Sequence, residues 1–287
     1  MDMPRPLLLT RPERDLAAWA ARFDPMTLPV LADTAVALEE WRTNEDAVDA
    51  HVLGEVIARD PLMTLKLFTH VALATRRSSR WDDSRGDVET VTAALVMLGI
   101  GPFFRTFESQ PVAEDWLAGT AGALDGFNAV LRRSHRAAGF ALAFAVHRMD
   151  RDAAVLHEAA LLHDFAELLI WLHAPDLALQ MAQQLRATPG LRTAQAQRET
   201  LNVLLPELQH ALMLAWRLPP LLVRITDDRH AEDPQVRNVL LAIRLARHSA
   251  NGWDDPALPD DIRDVAQLLQ LGEVPVQRLL AEIDEDA

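Results

Sequence analysis

The chain has 287 residues, 49% of them hydrophobic and 24% charged, the balance of a folded protein with one large or two ordinary domains. It has no cysteine, which excludes disulfides and thiolate metal sites and fits a reducing cytosol. Its net charge of −14, from 42 acidic against 28 basic residues, argues against a nucleic-acid binder whose affinity rests on neutralising phosphates.

After Met1-Asp-Met-Pro-Arg-Pro6 only Leu7–Leu9 are apolar, too short a run for a signal peptide. The longest apolar run, Phe140 to Val146, is far below the ~20 residues of a membrane-spanning helix. A cytoplasmic protein without a membrane segment is expected.

Nearly every segment shows helical spacing, and no run alternates in the manner of a strand, so the fold class is all-α. Arg14 to Phe23 reads as a first helix, with Leu16, Ala20 and Phe23 on one face, and Asp24-Pro25 breaks it. Asp33 is placed to cap a helix through about Trp41, and Asp49 another through about Arg59. Asp60-Pro61 restarts the chain, Asp suiting the N-cap and Pro the first helical position. The helix that follows turns Leu62, Leu65, Phe68 or Thr69, and Ala72 inward, and with Leu28 and Leu98 these define one apolar cluster. Thr75 to Asp87 is polar and turn-rich, a loop with arginines at 76, 77, 80 and 85. Val88 to Leu98 is helical, and Gly99 is suited to a left-handed C-cap. Residues 103–123 are weakly helical, broken by Pro111 and Gly119.

A long helix is expected from about Asp125 to Arg148, with Leu131, His135, Ala138, Leu142 and Ala145 as its inner stripe and small residues from Ala137 to Ala143 admitting a close neighbour. Asp150 to Asp152 caps the next stretch. Glu158-Ala-Ala-Leu-Leu-His163-Asp164-Phe-Ala-Glu167-Leu-Leu-Ile170 has strong helix formers and no Gly or Pro, and reads as one helix reaching about Leu172. Steps of three and four from His163 reach Leu156, Ala159, Ala160, Ala166 and Ile170, an apolar stripe. Asp164 falls one residue round, beside His157, Leu161, Leu168 and Trp171. A carboxylate there is costly unless paired, hydrogen-bonded or metal-bound. An adjacent His and Asp can give a metal one nitrogen and one oxygen; the plainer alternative is a core hydrogen bond that ties helices together.

Further helices are expected from Pro175 to about Arg186, Thr193 to about Leu205, and Pro206 to Trp216, where His210, Leu214 and Arg217 share a face. Pro219 starts a helix toward His230. Pro234 starts one containing Val239, Ile243, Ala246 and Ala250, which Asn251-Gly252 closes. Pro259–Leu271 and Pro275–Ile283 complete the chain. From Asn251 to Ala287 ten acidic residues face only Arg263 and Arg278, a stretch that either docks on the body or presents a contact surface to a basic partner.

Taken in order, Leu28-Pro29, Asp60-Pro-Leu-Met-Thr-Leu-Lys-Leu67, Leu98-Gly99, Ser134-His135, Ala160-Leu-Leu-His-Asp164, His210 and Trp216-Arg-Leu-Pro219 resemble the HDOD domain, the HD-related output domain of bacterial signalling proteins. The resemblance covers roughly residues 23–230. It implies an all-α fold with an N-terminal helical half over 23–124 and a C-terminal HD-like half over 125–251. These are flanked by an N-terminal extension, 1–22, and an acidic C-terminal helical extension, 252–287. It also implies a non-enzymatic regulatory role through contact with a signalling partner, with a small molecule or nucleotide as a second kind of ligand, and no cofactor. HD phosphohydrolases hold metal through a first His, a His-Asp pair and a later Asp, sometimes with further His. His135 matches the first His, and His163 with Asp164 the pair; His210 and His230 approximate the additional histidines. Where the later Asp should follow Ala246 stands Arg247, Glu167 replaces an expected Lys, and Ala72-Leu73 an expected Asn-Ser. The resemblance therefore implies a degenerate site without metal or catalytic residues, in which Arg247 pairs with Asp164. The small-residue face from Ala137 to Ala143, set against the Ala159, Ala160 and Ala166 stripe, predicts that the helices of His135 and His163 pack side by side with their imidazoles facing each other. The alternative is a metal-dependent phosphohydrolase, or a non-catalytic binder of a nucleotide or cyclic dinucleotide.

Overall fold

The structure, a computed structural model, describes residues 7–45, 48–77, 88–188 and 190–285. Among these, seventeen α-helices form and no β-strand; one isolated backbone bridge joins Val30 and Val112. The chain divides into two compact units, each built from two stretches. The first holds residues up to Ala129 together with Asp164–Pro219, and the second holds Val130–His163 together with Pro220–Ala287. The halves expected at 23–124 and 125–251 follow chain order, whereas these units interleave, parting between His163 and Asp164.

The first unit begins with α1 (Leu16–Arg22), where Asp15 accepts from the Ala18 N–H and Trp19 is the buried anchor. A 3-10 turn, Pro25–Thr27, leads to α2 (Ala32–Arg42). The expected cap at Asp33 is not used: Asp33 lies in the first turn, and the Ala32 N–H donates instead to Glu114. Asp49 does cap α3 (Ala50–Ile57), accepting from His51 and Val52. Next is α4 (Pro61–Arg77), which extends over the start of the expected loop at 75; residues 78–87, with Arg80 and Arg85, lie outside those described. Thr90 caps α5 (Val91–Leu98), and Gly99 at φ 84° both closes it and opens α6 (Ile100–Thr106), where the sequence suggested only a stop. The short α7 (Ala113–Leu117) follows. Leu28, Leu62, Leu65 and Phe68 are buried as expected; Leu98 is only half-buried.

The helix α8 (Ala123–His147) passes from the first unit into the second. In its first-unit part Gly126 is required by packing, since a Cβ there would stand 2.1 Å from the Trp171 ring. The unit is completed by α10 (Phe165–His173), α11 (Pro175–Ala187), α12 (Thr193–Leu201) and α13 (Leu205–Ala215).

The second unit holds the rest of α8, α9 (Ala153–Leu161), α14 (Pro220–Ile225), α15 (Pro234–His248), α16 (Leu258–Leu269) and α17 (Glu273–Glu285). α15 packs on α9, α14 and α16, and α16 on α17. The expected α15 stripe holds, with Val239, Ile243 and Ala246 buried, whereas that of α8 is only partly in phase, burying Ala138 and Ala145. Leu142 is 38% exposed, while Phe140, Ala141 and Phe144 are buried. Ala250 is exposed, beyond the end of α15. The acidic C-terminal stretch docks on its own unit: buried Asp261 accepts from Arg244 and His248, Arg244 also reaches Asp264, and Arg136 meets Asp284.

Candidate functional site

The stretch from Glu158 to Ile170 is not one helix. α9 ends at Leu161, the His163 N–H turns back to the Ala160 carbonyl, and Asp164 stands at the N-cap of α10. Asp is a weak helix former that favours this position. Every residue from Phe165 to Leu172 except half-buried Glu167 is buried, so the segment is apolar all round and its periodicity carries no mark of the turn. The Asp164 carboxylate does not cap α10, which leaves its oxygens for other partners.

In the second unit the buried His163 ring places Nε2 3.2 Å from Asp228 Oδ1. Asp228 sits on a 3-10 turn, Asp228–His230, that Asp227 organises. Asp227 accepts from the Arg229 backbone N–H and takes both Arg229 Nε and Nη2 at 2.8 Å, which holds its carboxyl well below the usual carboxylate range. His230 points its Nδ1 at Asp227, 3.3 Å away, and is more than half exposed. His135 is half-buried on α8, and Arg247 is exposed in the last turn of α15. Asp164 and His210, both half-buried, belong to the first unit. Among the described residues, no three His, Asp or Glu side chains gather in a way that could hold a metal ion. In the sequence Asp228 carries no signal beyond its position within the Asp227-Asp228-Arg229-His230 turn.

The first unit carries a second polar centre, around the Asp60–Leu67 motif. Asp60 is fully buried; its Oδ1 accepts from the Leu62 and Met63 N–H groups at 2.9 and 3.0 Å, and its Oδ2 from Leu31 at 2.8 Å. Burial raises its pKa, against the pull of these donors. Lys66, the chain's single lysine, is also buried, and its Nζ donates to the Leu28 carbonyl at 2.6 Å and to the Gln110 side-chain oxygen. Burial brings its pKa down to about 8, with Asp60 and Asp24 opposing. Backbone bonds from Val30 to Pro111 and from Ala113 to Val30 hold the same segment from its other side. The Leu28-Pro29 and Asp60-Pro61 pieces of the sequence are thus one physical assembly, residues 28–32 being clamped between α4 and residues 110–114. Within α4, which runs on past them to Arg77, the Ala72-Leu73 pair leaves Leu73 41% exposed.

Buried His173, on α10, has neither ring nitrogen hydrogen-bonded among the described residues and lies edge-on to Phe23 and Trp116; burial brings its pKa down to about 4. It is held neutral in an aromatic setting, which gives it the chemistry of a packing residue rather than a ligand.

An all-α domain carrying a His-Asp turn and a buried Asp-Pro cap defines the HD-related helical class. Residues 28–232 match the HDOD domain, and the chain belongs to that family. It is similar in fold to the MmoQ response regulator from Methylococcus capsulatus str. Bath, at 20% identity and a TM-score of 0.67 over 89% of this chain and 98% of that one. It is also similar to a virulence factor from Campylobacter jejuni subsp. jejuni, at 18% identity and a TM-score of 0.57 over 88% of each chain. No curated protein matches the sequence. No helix among the described residues is long and apolar enough to cross a membrane.

Proposed function

We propose that this protein is a cytoplasmic, non-enzymatic signalling module of the bacterial HDOD kind, which acts by protein contact and whose HD-like positions no longer assemble a metal centre. The observation that supports it best is the engagement of His163: the nitrogen a metal would need faces Asp228, and His230 turns to a different carboxylate, Asp227. The position of the later Asp is filled by a cation, Arg247, on a helix turn exposed to solvent. A guanidinium has no acceptor atom and cannot serve as the oxygen ligand that an Asp would supply. The description of one similar structure as a response regulator suits a signalling role.

The experiment is elemental analysis of the purified chain after incubation with Mn, Fe, Zn and Mg, alongside hydrolysis assays on a phosphomonoester and a cyclic dinucleotide. Substoichiometric metal and no turnover are expected. A stoichiometric ion lost in His163→Ala, together with turnover, would overturn the reading in favour of a phosphohydrolase.

A further inference from the structure

Between Asp125 and Asp150 the chain has no carboxylate, while Arg132, Arg133, Arg136, Arg148 and Arg151 lie along or just past α8. This is a strongly basic stretch in a chain of net charge −14. Alternating steps of four and three along it give His135, Gly139, Leu142, Val146 and Met149, one face of the helix and of the turn that ends it. The last three are 38%, 61% and 88% exposed, a graded apolar stripe in the open. Met149 also holds φ at 54°, a region that disfavours a Cβ, yet it presents its side chain to solvent rather than to the core.

The other end of the same face is already covered, and its cover shows what suits it. Ile283 of α17 lies 3.7 Å from where a Cβ on Gly139 would stand. Arg136 Nε donates to Asp284 Oδ1 at 2.7 Å, Trp253 Nε1 donates to Asp284 Oδ2 at 3.1 Å, and Arg136 also donates to Ser249. α17 buries Val276 and Leu280 and carries Glu282, Asp284 and Glu285 near its end, so it is an acidic amphipathic helix. Its described residues end beside Gly139, and among the described residues the stripe from Leu142 to Met149 stays open.

We propose that this face of α8 is a docking surface for an acidic amphipathic helix of a partner protein, which α17 samples in cis at the Arg136–Gly139 end. The partner's apolar residues, spaced three and four apart, cover Leu142, Val146 and Met149, and a carboxylate beside them meets exposed Arg151, Arg148 being turned to the Pro234 carbonyl. The proposal rests on the reading that the chain acts through protein contacts, and it names the partner's chemistry. Its failure would leave the metal and turnover results untouched, and theirs would leave it untouched.

The test is fluorescence anisotropy on the full chain with two labelled peptides: residues 271–287 of this sequence, and the same peptide with its carboxylates replaced by lysine. The acidic peptide should bind, more weakly as salt rises, and the lysine form should not. Val146→Glu, a change at an exposed position, should weaken binding by about tenfold or more while leaving the melting midpoint unmoved. Met149→Gly should weaken binding and raise the midpoint by about 2–4 °C, because Gly accepts the positive φ. Equal binding by both peptides, no binding, or binding indifferent to Val146→Glu would overturn the proposal. So would dimerisation of the chain that Val146→Glu abolishes, which assigns the face to a second copy, or adsorption to anionic vesicles without peptide binding, which assigns it to a lipid surface.

Discussion

In the first unit Asp60 spends its oxygens on backbone N–H groups, and Lys66 spends its ammonium on a carbonyl and an amide oxygen. In the second unit Asp261, equally buried, meets the side chains of Arg244 and His248. Charges held by the backbone fix the conformation of one segment, here residues 28–32, and removing one strands several N–H or C=O groups at once. Charges held by side chains fasten one helix to another, and each partner keeps some access to water: Arg244 and His248 are 42% and 36% exposed. The first arrangement should be the less forgiving, because an unsatisfied buried group carries its full desolvation cost while a half-exposed one is re-solvated.

The largest effect should come from Asp60→Ala, which uncaps α4 and orphans the Leu31 N–H; a loss of about 3–5 kcal/mol in denaturant unfolding is expected. A loss below about 1 kcal/mol would show that water replaces the carboxylate and that the clamp is not what holds the segment.

Next is the pH dependence of Lys66. Its folded pKa of about 8 lies below its ordinary 10.5, so between those values the unfolded chain binds a proton that the folded chain does not. Stability from this group therefore rises with pH across that window, by at most ~3.4 kcal/mol, and its full cost is present below pH 8. Relative to Lys66→Met, the wild-type protein should gain stability from pH 8 upward. A flat difference curve would mean that Lys66 reaches water in the folded state.

The smallest effect should be Asp261→Ala, at roughly 1–3 kcal/mol, because Arg244 retains Asp264. Hydrogen exchange should show that the loss is confined to α15–α17. A cost equal to that of Asp60→Ala would erase the distinction between the two kinds of buried charge.

The sequence by itself determined the helical class, most helix starts and the family. Those signals are local: Asp49 and Asp60 cap their helices from within one turn, and proline marks the starts of α4, α11 and α15 without reference to anything distant. It also placed the acidic stretch at the C-terminus, since charge is read off composition. Only the tertiary structure decided the break at His163-Asp164, because residues apolar on every side give no period from which to read a turn. The phase of the α8 stripe was likewise open: small and large apolar residues surround that helix, and packing alone chose Phe140 and Phe144 over Leu142 for burial. The partners of the polar centres, Asp228 for His163 and the Leu28 carbonyl for Lys66, lie 65 and 38 residues away along the chain. Pairing over such separations is set by chain folding, and no local spacing encodes it.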